Sequence, residues 1–115
     1  MAKKDLKIPN TFTRKKSIRR STKYKVDGKR VYVNQYGEYE TTRTQTIGDD
    51  KIGYYNVPSF NNETGLDYTS PQAMYDAAYK STKGNVKKYK TKKEAVTAAK
   101  AESDAKGRKL REMGL

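Results

Sequence analysis

The sequence has no cysteine, no histidine and no tryptophan, and these absences exclude several kinds of chemistry. Without cysteine there is no disulfide, no thiolate nucleophile and no zinc ribbon. Without histidine the commonest general base and a common metal ligand are missing. Hydrophobic residues make up only 33% of the 115 residues, so we expect at most one small domain with a thin core.

Long apolar stretches are also missing. No run approaches the roughly 20 residues of a membrane span, and the N-terminus has no apolar signal core. Glycines are scattered and form no phosphate-binding loop. The only adjacent acidic pair, Asp49-Asp50, follows Gly48 and predicts a solvated turn. We therefore predict a protein that is not an enzyme, with no catalytic residues, no cofactor, no metal and no membrane span.

The net charge of +13 is arranged in three blocks. Residues 1–30 carry a net charge of +10, residues 31–79 carry −5 and residues 80–115 carry +8. Such blocks indicate a polyanion or an acidic protein groove as partner for the two ends, and head-to-tail contact between copies.

The first basic block begins with a segment that shows no helical or alternating period. We predict an extended basic arm over residues 1–21, ahead of a small domain at residues 22–115. One interpretation is a disordered, solubilising terminus. The other is an arm that threads between neighbouring subunits or lies on nucleic acid. The candidate partner-binding residues are Phe12, Ile18, Arg14, Lys15, Lys16, Arg19 and Arg20.

Short β-rich runs separated by turn residues follow the arm. Asp27-Gly28 lies between two such runs and predicts a hairpin, because a type I′ turn needs positive φ at both central residues. A turn at Tyr36-Gly37 then leads into a threonine-rich third strand over residues 38–47, which should be wet on at least one face.

The densest apolar and aromatic stretch is Gly53-Tyr54-Tyr55-Asn56-Val57-Pro58-Ser59-Phe60. Alternation puts Tyr54 on one face and Tyr55 on the other, and bulky rings on both faces are typical of a central strand. Pro58 has no N–H and cannot continue a ladder in mid-sheet. We predict an inner strand over residues 52–57 that ends at this proline.

Two helices are predicted in the last part of the chain. The first begins at Ser70-Pro71, a serine cap with proline at the first helical position, and ends at Lys83-Gly84. After a short extended link, the second begins at the capping box Thr91-Lys92-Lys93-Glu94 and continues to Met113. The second helix and the inner strand are expected to share one core cluster of Tyr55, Val57, Ala95, Val96 and Ala99.

Together these elements predict an α+β fold. We expect an antiparallel meander of about four strands, both helices packed on one side of it, and the basic arm extending from the N-terminus.

A second basic run leads into the last helix. The candidate nucleic-acid-binding residues are Lys83, Lys87, Lys88, Tyr89, Lys90, Lys92 and Lys93. Six lysines without an acid around one ring suit a phosphate backbone with a base stacked on the ring, whereas a solvated face is the plainer alternative. Since the run has no arginine, we expect no sequence-specific recognition.

Three motifs occur in order from Tyr24 onward. They are the turn Val26-Asp27-Gly28-Lys29, the strand end Tyr54-Tyr55-Asn56-Val57-Pro58-Ser59 and, after a short helix with alanines over Ala73 to Lys80, the run Tyr89-Lys90-Thr91-Lys92-Lys93-Glu94-Ala95-Val96-Thr97-Ala98-Ala99-Lys100-Ala101. In this order the motifs resemble a small module of structural and internal virion proteins of tailed bacteriophages. The resemblance covers residues 24–105, leaves the arm unmatched and departs at Glu102, where the similar sequences often place arginine.

The resemblance implies a virion component without catalytic residues. We expect a minor structural protein of the tail, the head–tail junction or the ejected internal set, made in the host cytoplasm, which clamps interfaces between larger subunits. Its expected partners are other virion proteins, copies of itself in a symmetric ring and, non-specifically, DNA. Two alternatives remain open: a non-specific nucleic-acid-binding accessory protein, which the charge blocks favour equally, and an inhibitor that binds a host enzyme through the acidic middle block.

Overall fold

A computed structural model describes residues 6–10, 12 and 19–115 of the chain. In chain order, the strands and helices are β1 (Arg20–Val26), β2 (Lys29–Val33), β3 (Tyr39–Glu40), β4 (Thr44–Asp49), β5 (Gly53–Pro58), α1 (Pro71–Thr82), β6 (Lys88–Tyr89) and α2 (Lys92–Glu112). The predicted α+β class is confirmed.

The described strands form two antiparallel three-stranded sheets rather than one meander. The first sheet has the order β1-β2-β3 and the second has the order β4-β5-β6. The threonine-rich third strand is divided, because the chain leaves the first sheet after Glu40 and enters the second at Thr44. In between, the Thr41 carbonyl accepts a hydrogen bond of 2.8 Å from the Asn62 side chain. A loop side chain therefore satisfies the backbone where one continuous strand was expected.

The first sheet is built on the predicted hairpin. Asp27 and Gly28 have φ values of 51° and 80°, the left-handed conformation that a type I′ turn requires. β1 and β2 pair from the turn, where Val26 lies opposite Lys29, to the other end, where Arg20 lies opposite Val33. The hairpin prediction is confirmed.

The second sheet is centred on β5. This strand lies between β4 and β6 and ends at Pro58, which confirms the predicted inner strand and its stop. The segment expected to be a plain link contributes β6, in which Tyr89 pairs with Tyr54 and Lys88 with Tyr55. The short β6 covers the edge of β5 that would otherwise be open.

The two helices pack on opposite faces of the second sheet, not on one side. Tyr55 lies in the core cluster with Met74 and Tyr75 of α1, and the Tyr55 and Tyr75 rings meet edge to face at 5.3 Å. Asn56, which points to the other face, donates a hydrogen bond of 2.7 Å to the Ala95 carbonyl of α2. A helix therefore lies on each face of β5, whereas the sequence predicted both helices on one side of the sheet.

Both helices begin where the sequence predicts. The Ser70 hydroxyl accepts a hydrogen bond of 3.2 Å from the Ala73 N–H, and the Thr91 hydroxyl accepts one of 3.2 Å from the Glu94 N–H. These bonds satisfy N–H groups that have no partner within the helix. α2 continues through Gly107, as predicted.

α2 also joins the two sheets. Its N-terminal part lies on β5 through Ala95, which is completely buried. Its C-terminal part reaches the hairpin, where the Lys109 ammonium lies 2.6 Å from an Asp27 carboxylate oxygen. Leu110, one residue later, is buried. The last helix is therefore a brace across the molecule.

The predicted core cluster was wrong, because its five members do not lie together, Val96 is exposed, and Ala99 is only partly buried on the wall of a cleft. Val96 is 46% exposed, whereas the neighbouring Ala95 is completely buried. Successive helical residues are about 100° apart around the axis, so only one of these two neighbours points at the sheet. Tyr55 and Val57 belong to a cluster that faces α1, on the other side of the sheet from Ala95.

Candidate interaction surfaces

The described N-terminal residues, 6–10 and 12, form a strap that lies on α1. Ile8 is 7% exposed, and Leu6 and Phe12 pack against the same core cluster. The Gln72 side chain holds the strap through its backbone: Oε1 accepts a hydrogen bond of 2.7 Å from the Ile8 N–H, and Nε2 donates one of 3.0 Å to the Leu6 carbonyl. The strap is thus bound to its own fold.

The seven predicted partner-binding residues have different outcomes. Four of them lie outside the described residues: Arg14, Lys15, Lys16 and Ile18. Phe12 is half-buried on the core of its own chain. Arg20 is exposed as the first residue of β1, so it belongs to the sheet rather than to the arm.

Arg19, the last of the seven, is used inside the fold. Its side chain is only 8% exposed, pairs with Glu40 of β3 and lies 2.6 Å from a carboxylate oxygen of Asp67. The guanidinium also lies 4.0 Å from the centre of the Phe60 ring. Burial alone lowers the pKa of Arg19, but the hydrogen bonds and charges of the two acids outweigh it, so the pKa is raised. This arrangement fixes the start of β1 to β3 and to the loop at 61–69.

The second basic run forms an exposed ribbon from the end of α1 to the start of α2. The six lysines are exposed, with Lys83 at the C-cap of α1, while Tyr89 is half-buried. The Lys87 ammonium lies 5.0 Å from the centre of the Tyr89 ring. The Lys88 stem lies across Gly53 so closely that a Cβ on that glycine would come within 2.5 Å of Cε. The ribbon is continuous in sequence and exposed, but its one ring is only partly accessible.

The turn between β2 and β3 exposes an aromatic ring that was not among the site residues predicted from the sequence. Tyr36 is 72% exposed, the highest value among the large hydrophobic side chains that the structure describes. Asn34 holds this turn: its Oδ1 accepts from the Tyr36 N–H at 2.9 Å and from the Glu38 N–H at 3.0 Å. The Gly37 N–H also bonds the Asn34 carbonyl at 3.0 Å. An exposed ring on a turn fixed in this way is pre-organised for contact.

A cleft of about 490 Å³ opens between α2 and the segment from β3 to β4. Tyr39 and Val96 stand on its walls, which accounts for the exposure of Val96. Lys106 lines the same cleft. Burial lowers the pKa of Lys106; the charge of Glu102 raises it in part, and that of Lys29 lowers it again.

Tests for other kinds of site gave negative results. No group of three or more carboxylates in the described part of the chain could hold a metal ion. None of the helices described has both the length and the apolar character needed to cross a membrane. Comparison with protein families, with curated proteins and with solved structures found no match.

Proposed function

We propose that the protein is a minor structural component of a tailed-bacteriophage virion, located in the tail, the head–tail junction or the ejected internal set. In this role it has no catalytic activity, is made in the host cytoplasm and clamps interfaces between larger subunits. The proposal is supported by the resemblance of residues 24–105 to virion modules, and it draws on how the chain displays its tyrosines.

The observation that carries the proposal is the exposure of three tyrosines in the first sheet and its β2–β3 turn. Tyr24, Tyr36 and Tyr39 are 37%, 72% and 39% exposed, and all belong to the first sheet or to its β2–β3 turn. Tyrosine is enriched at protein interfaces because a large apolar ring ends in a polar group. Tyr36, on its hydrogen-bonded turn, loses little conformational freedom when it is buried by a partner.

The strap supports a clamping role in a second way. It shows that an extended segment of this chain binds a helix surface through apolar anchors and two backbone hydrogen bonds. Extended arms that contact neighbouring subunits would use the same combination of interactions. We propose other virion proteins, and further copies of this chain in a ring, as the partners.

The first test is the composition of purified particles. Gradient-purified virions should contain the protein in a fixed number of copies, measured by quantitative mass spectrometry. Its absence from mature particles would overturn the proposal.

The second test is the Tyr36→Ala variant, with Gln35→Ala, its exposed neighbour on the same turn, as matched control. If the ring anchors an interface, Tyr36→Ala should weaken binding to particles lacking the protein by about 2 kcal/mol or more, without lowering Tm. Gln35→Ala should bind as the wild type does. Equal binding by both variants would remove Tyr36 from the interface.

A further inference from the structure

The β1–β2 hairpin carries five basic side chains, of which only Arg20 was among the binding residues predicted from the sequence. All five are exposed: Arg20, Lys23, Lys25, Lys29 and Arg30. Among the described strands β1 pairs with β2 alone, so the hairpin is an edge of the first sheet. The Lys23 ammonium lies 5.6 Å from the centre of the half-exposed Tyr24 ring.

Two of these cations stand in an unfavourable position. Lys25 and Arg30 are direct partners in the antiparallel register, so their side chains share one face at neighbouring positions. Like charges directly opposite each other destabilise a sheet. The hairpin thus carries a local repulsion that an anion placed between the two side chains would convert into an attraction.

Three carboxylates near the hairpin are already engaged, and Glu102, which lines a cavity together with Lys29, forms no ion pair with it in the described part of the chain. Asp27, at the hairpin turn, pairs with Lys109, and both Glu40 and Asp67 pair with Arg19. In the described part of the chain, none of the five hairpin cations forms an ion pair with a carboxylate. The hairpin surface therefore remains cationic and open to an external polyanion.

The exposed edge of the hairpin suits the regular phosphate backbone of duplex DNA. Among the described residues β1 is the open edge, because β2 pairs with β3 at Tyr32 and Val33 and Asn62 bonds the Arg30 backbone on the edge away from β1. From Arg20 to Lys25 the open edge covers at most about 17 Å at about 3.3 Å per residue, because the register shifts between Ser21 and Lys25. That length is about five base pairs, so the strand can follow successive phosphates of the duplex.

The β1–β2 hairpin is also held in place before any ligand binds. The Asn62 side chain accepts a hydrogen bond of 3.1 Å from the Arg30 N–H and donates one of 2.9 Å to the Arg30 carbonyl. The exposed Lys109–Asp27 ion pair adds a contact between the turn and α2. A hairpin held by such contacts has less ordering entropy to lose on binding.

We propose that the β1–β2 hairpin binds the phosphate backbone of duplex DNA, without sequence specificity, with Lys25 and Arg30 on either side of one phosphate group. The proposal goes beyond the virion role and does not depend on it, since it requires only this chain and DNA.

The test compares two variants of equal charge. The hairpin variant combines Lys25→Gln with Arg30→Gln, and the matched control combines Lys51→Gln with Lys100→Gln, which are exposed lysines outside the hairpin and outside the second basic run. Binding to a 20-base-pair duplex of arbitrary sequence is measured from about 50 to 300 mM salt. For the wild type, log affinity should fall linearly with log salt.

The hairpin variant should bind at least about tenfold more weakly at low salt, and its salt slope should be shallower by about 0.9, the share of one phosphate. In the control variant, the affinity and the salt slope should each change by only a small fraction of these amounts. Equal losses in both variants would overturn the proposal in favour of net charge alone. A loss confined to the control would overturn it in favour of a basic surface outside the hairpin.

Two further measurements separate the remaining outcomes. Tm of the hairpin variant should equal or exceed that of the wild type, because the repulsion is removed; a lower Tm would contradict the repulsion on which the proposal rests. Polyglutamate should compete weakly with the duplex. If polyglutamate competed as effectively as DNA at equal concentrations of carboxylate and phosphate groups, the assignment would be overturned in favour of an acidic protein partner.

Discussion

The Gln72 side chain accepts a hydrogen bond of 2.7 Å from the backbone N–H of Ile8, 64 positions earlier in the chain. Its amide also donates to the Leu6 carbonyl, so one side chain holds the backbone on both sides of Lys7. Each apolar anchor of the strap is worth about 1.5–3 kcal/mol when fully buried. Ordering each residue costs about 1–2 kcal/mol, so the net free energy that holds the strap on α1 is small.

We therefore predict that Gln72→Ala releases the strap. Two lost hydrogen bonds, each worth about 0.5–1.5 kcal/mol, are enough to shift a contact so closely balanced. Hydrogen exchange at the Ile8 amide should accelerate about tenfold or more, while exchange within β5 stays unchanged. Gln35→Ala, on the exposed β2–β3 turn, is the control and should leave Ile8 protected. Unchanged protection in Gln72→Ala would show that the apolar anchors suffice.

Arg19 should be among the most sensitive positions for stability. Arg19→Ala leaves Glu40 and Asp67, whose side chains are 12% and 11% exposed, without their shared cation. Breaking a buried pair in this way costs about 3–5 kcal/mol. Urea unfolding measures the loss, and Arg20→Ala, at the exposed neighbour, should change the free energy of unfolding by less than about 0.5 kcal/mol. Similar values for the two variants would mean that water replaces the guanidinium.

Elements with a local signal were predicted well. The Asp27-Gly28 turn, the Ser70 cap and the Thr91 cap each depend on a few adjacent residues, and the structure has all three. Pro58 likewise ends β5 where its missing N–H requires it.

Features that depend on distant residues were not predicted. Arg19 looked like one more cation of the arm, because nothing near it in sequence shows that Glu40 and Asp67 meet around it. Where the chain leaves the first sheet, the Thr41 carbonyl bonds Asn62, which is 21 positions away in the sequence. The faces of α2 were uncertain for a related reason: an alanine-rich helix gives a weak amphipathic pattern, so Ala95 and Val96 could not be told apart.

The different burial of Ala95 and Val96 gives the next prediction. Ala95→Asp should lower the free energy of unfolding by several kcal/mol, because it buries an unpaired carboxylate against β5 where Ala95 has no exposed surface. Val96→Asp should change it by less than about 1 kcal/mol, because the side chain is 46% exposed on the wall of the cleft. Thermal or urea unfolding of the two variants is the measurement. A larger loss for Val96→Asp would place α2 in a different rotation about its axis.

The final prediction concerns alkaline pH. The Tyr55 ring is 3% exposed, its hydroxyl donates to the Ile52 carbonyl at 3.0 Å, and burial raises the pKa of Tyr55 above its ordinary value of 10.0. Burial, with the charge of Glu63, raises the pKa of Tyr68 in the same direction.

A raised pKa means that the folded protein keeps these protons at a pH where the unfolded chain has lost them. The contribution to stability is therefore complete below pH 10.0 and is lost as the pH rises through the folded-state pKa values. Each such proton steepens the alkaline fall in the free energy of unfolding by up to about 1.4 kcal/mol per pH unit.

Tyr55→Phe should lower the free energy of unfolding at neutral pH by about 1 kcal/mol, through the lost hydrogen bond, and should make its alkaline fall shallower. Tyr36→Phe, at the 72% exposed ring, is the control for removing a tyrosine hydroxyl and should leave the free energy of unfolding at neutral pH unchanged. Free energies of unfolding from urea titrations between pH 8 and 11 decide the matter, and an equally steep fall in Tyr55→Phe would show that Tyr55 does not contribute to it.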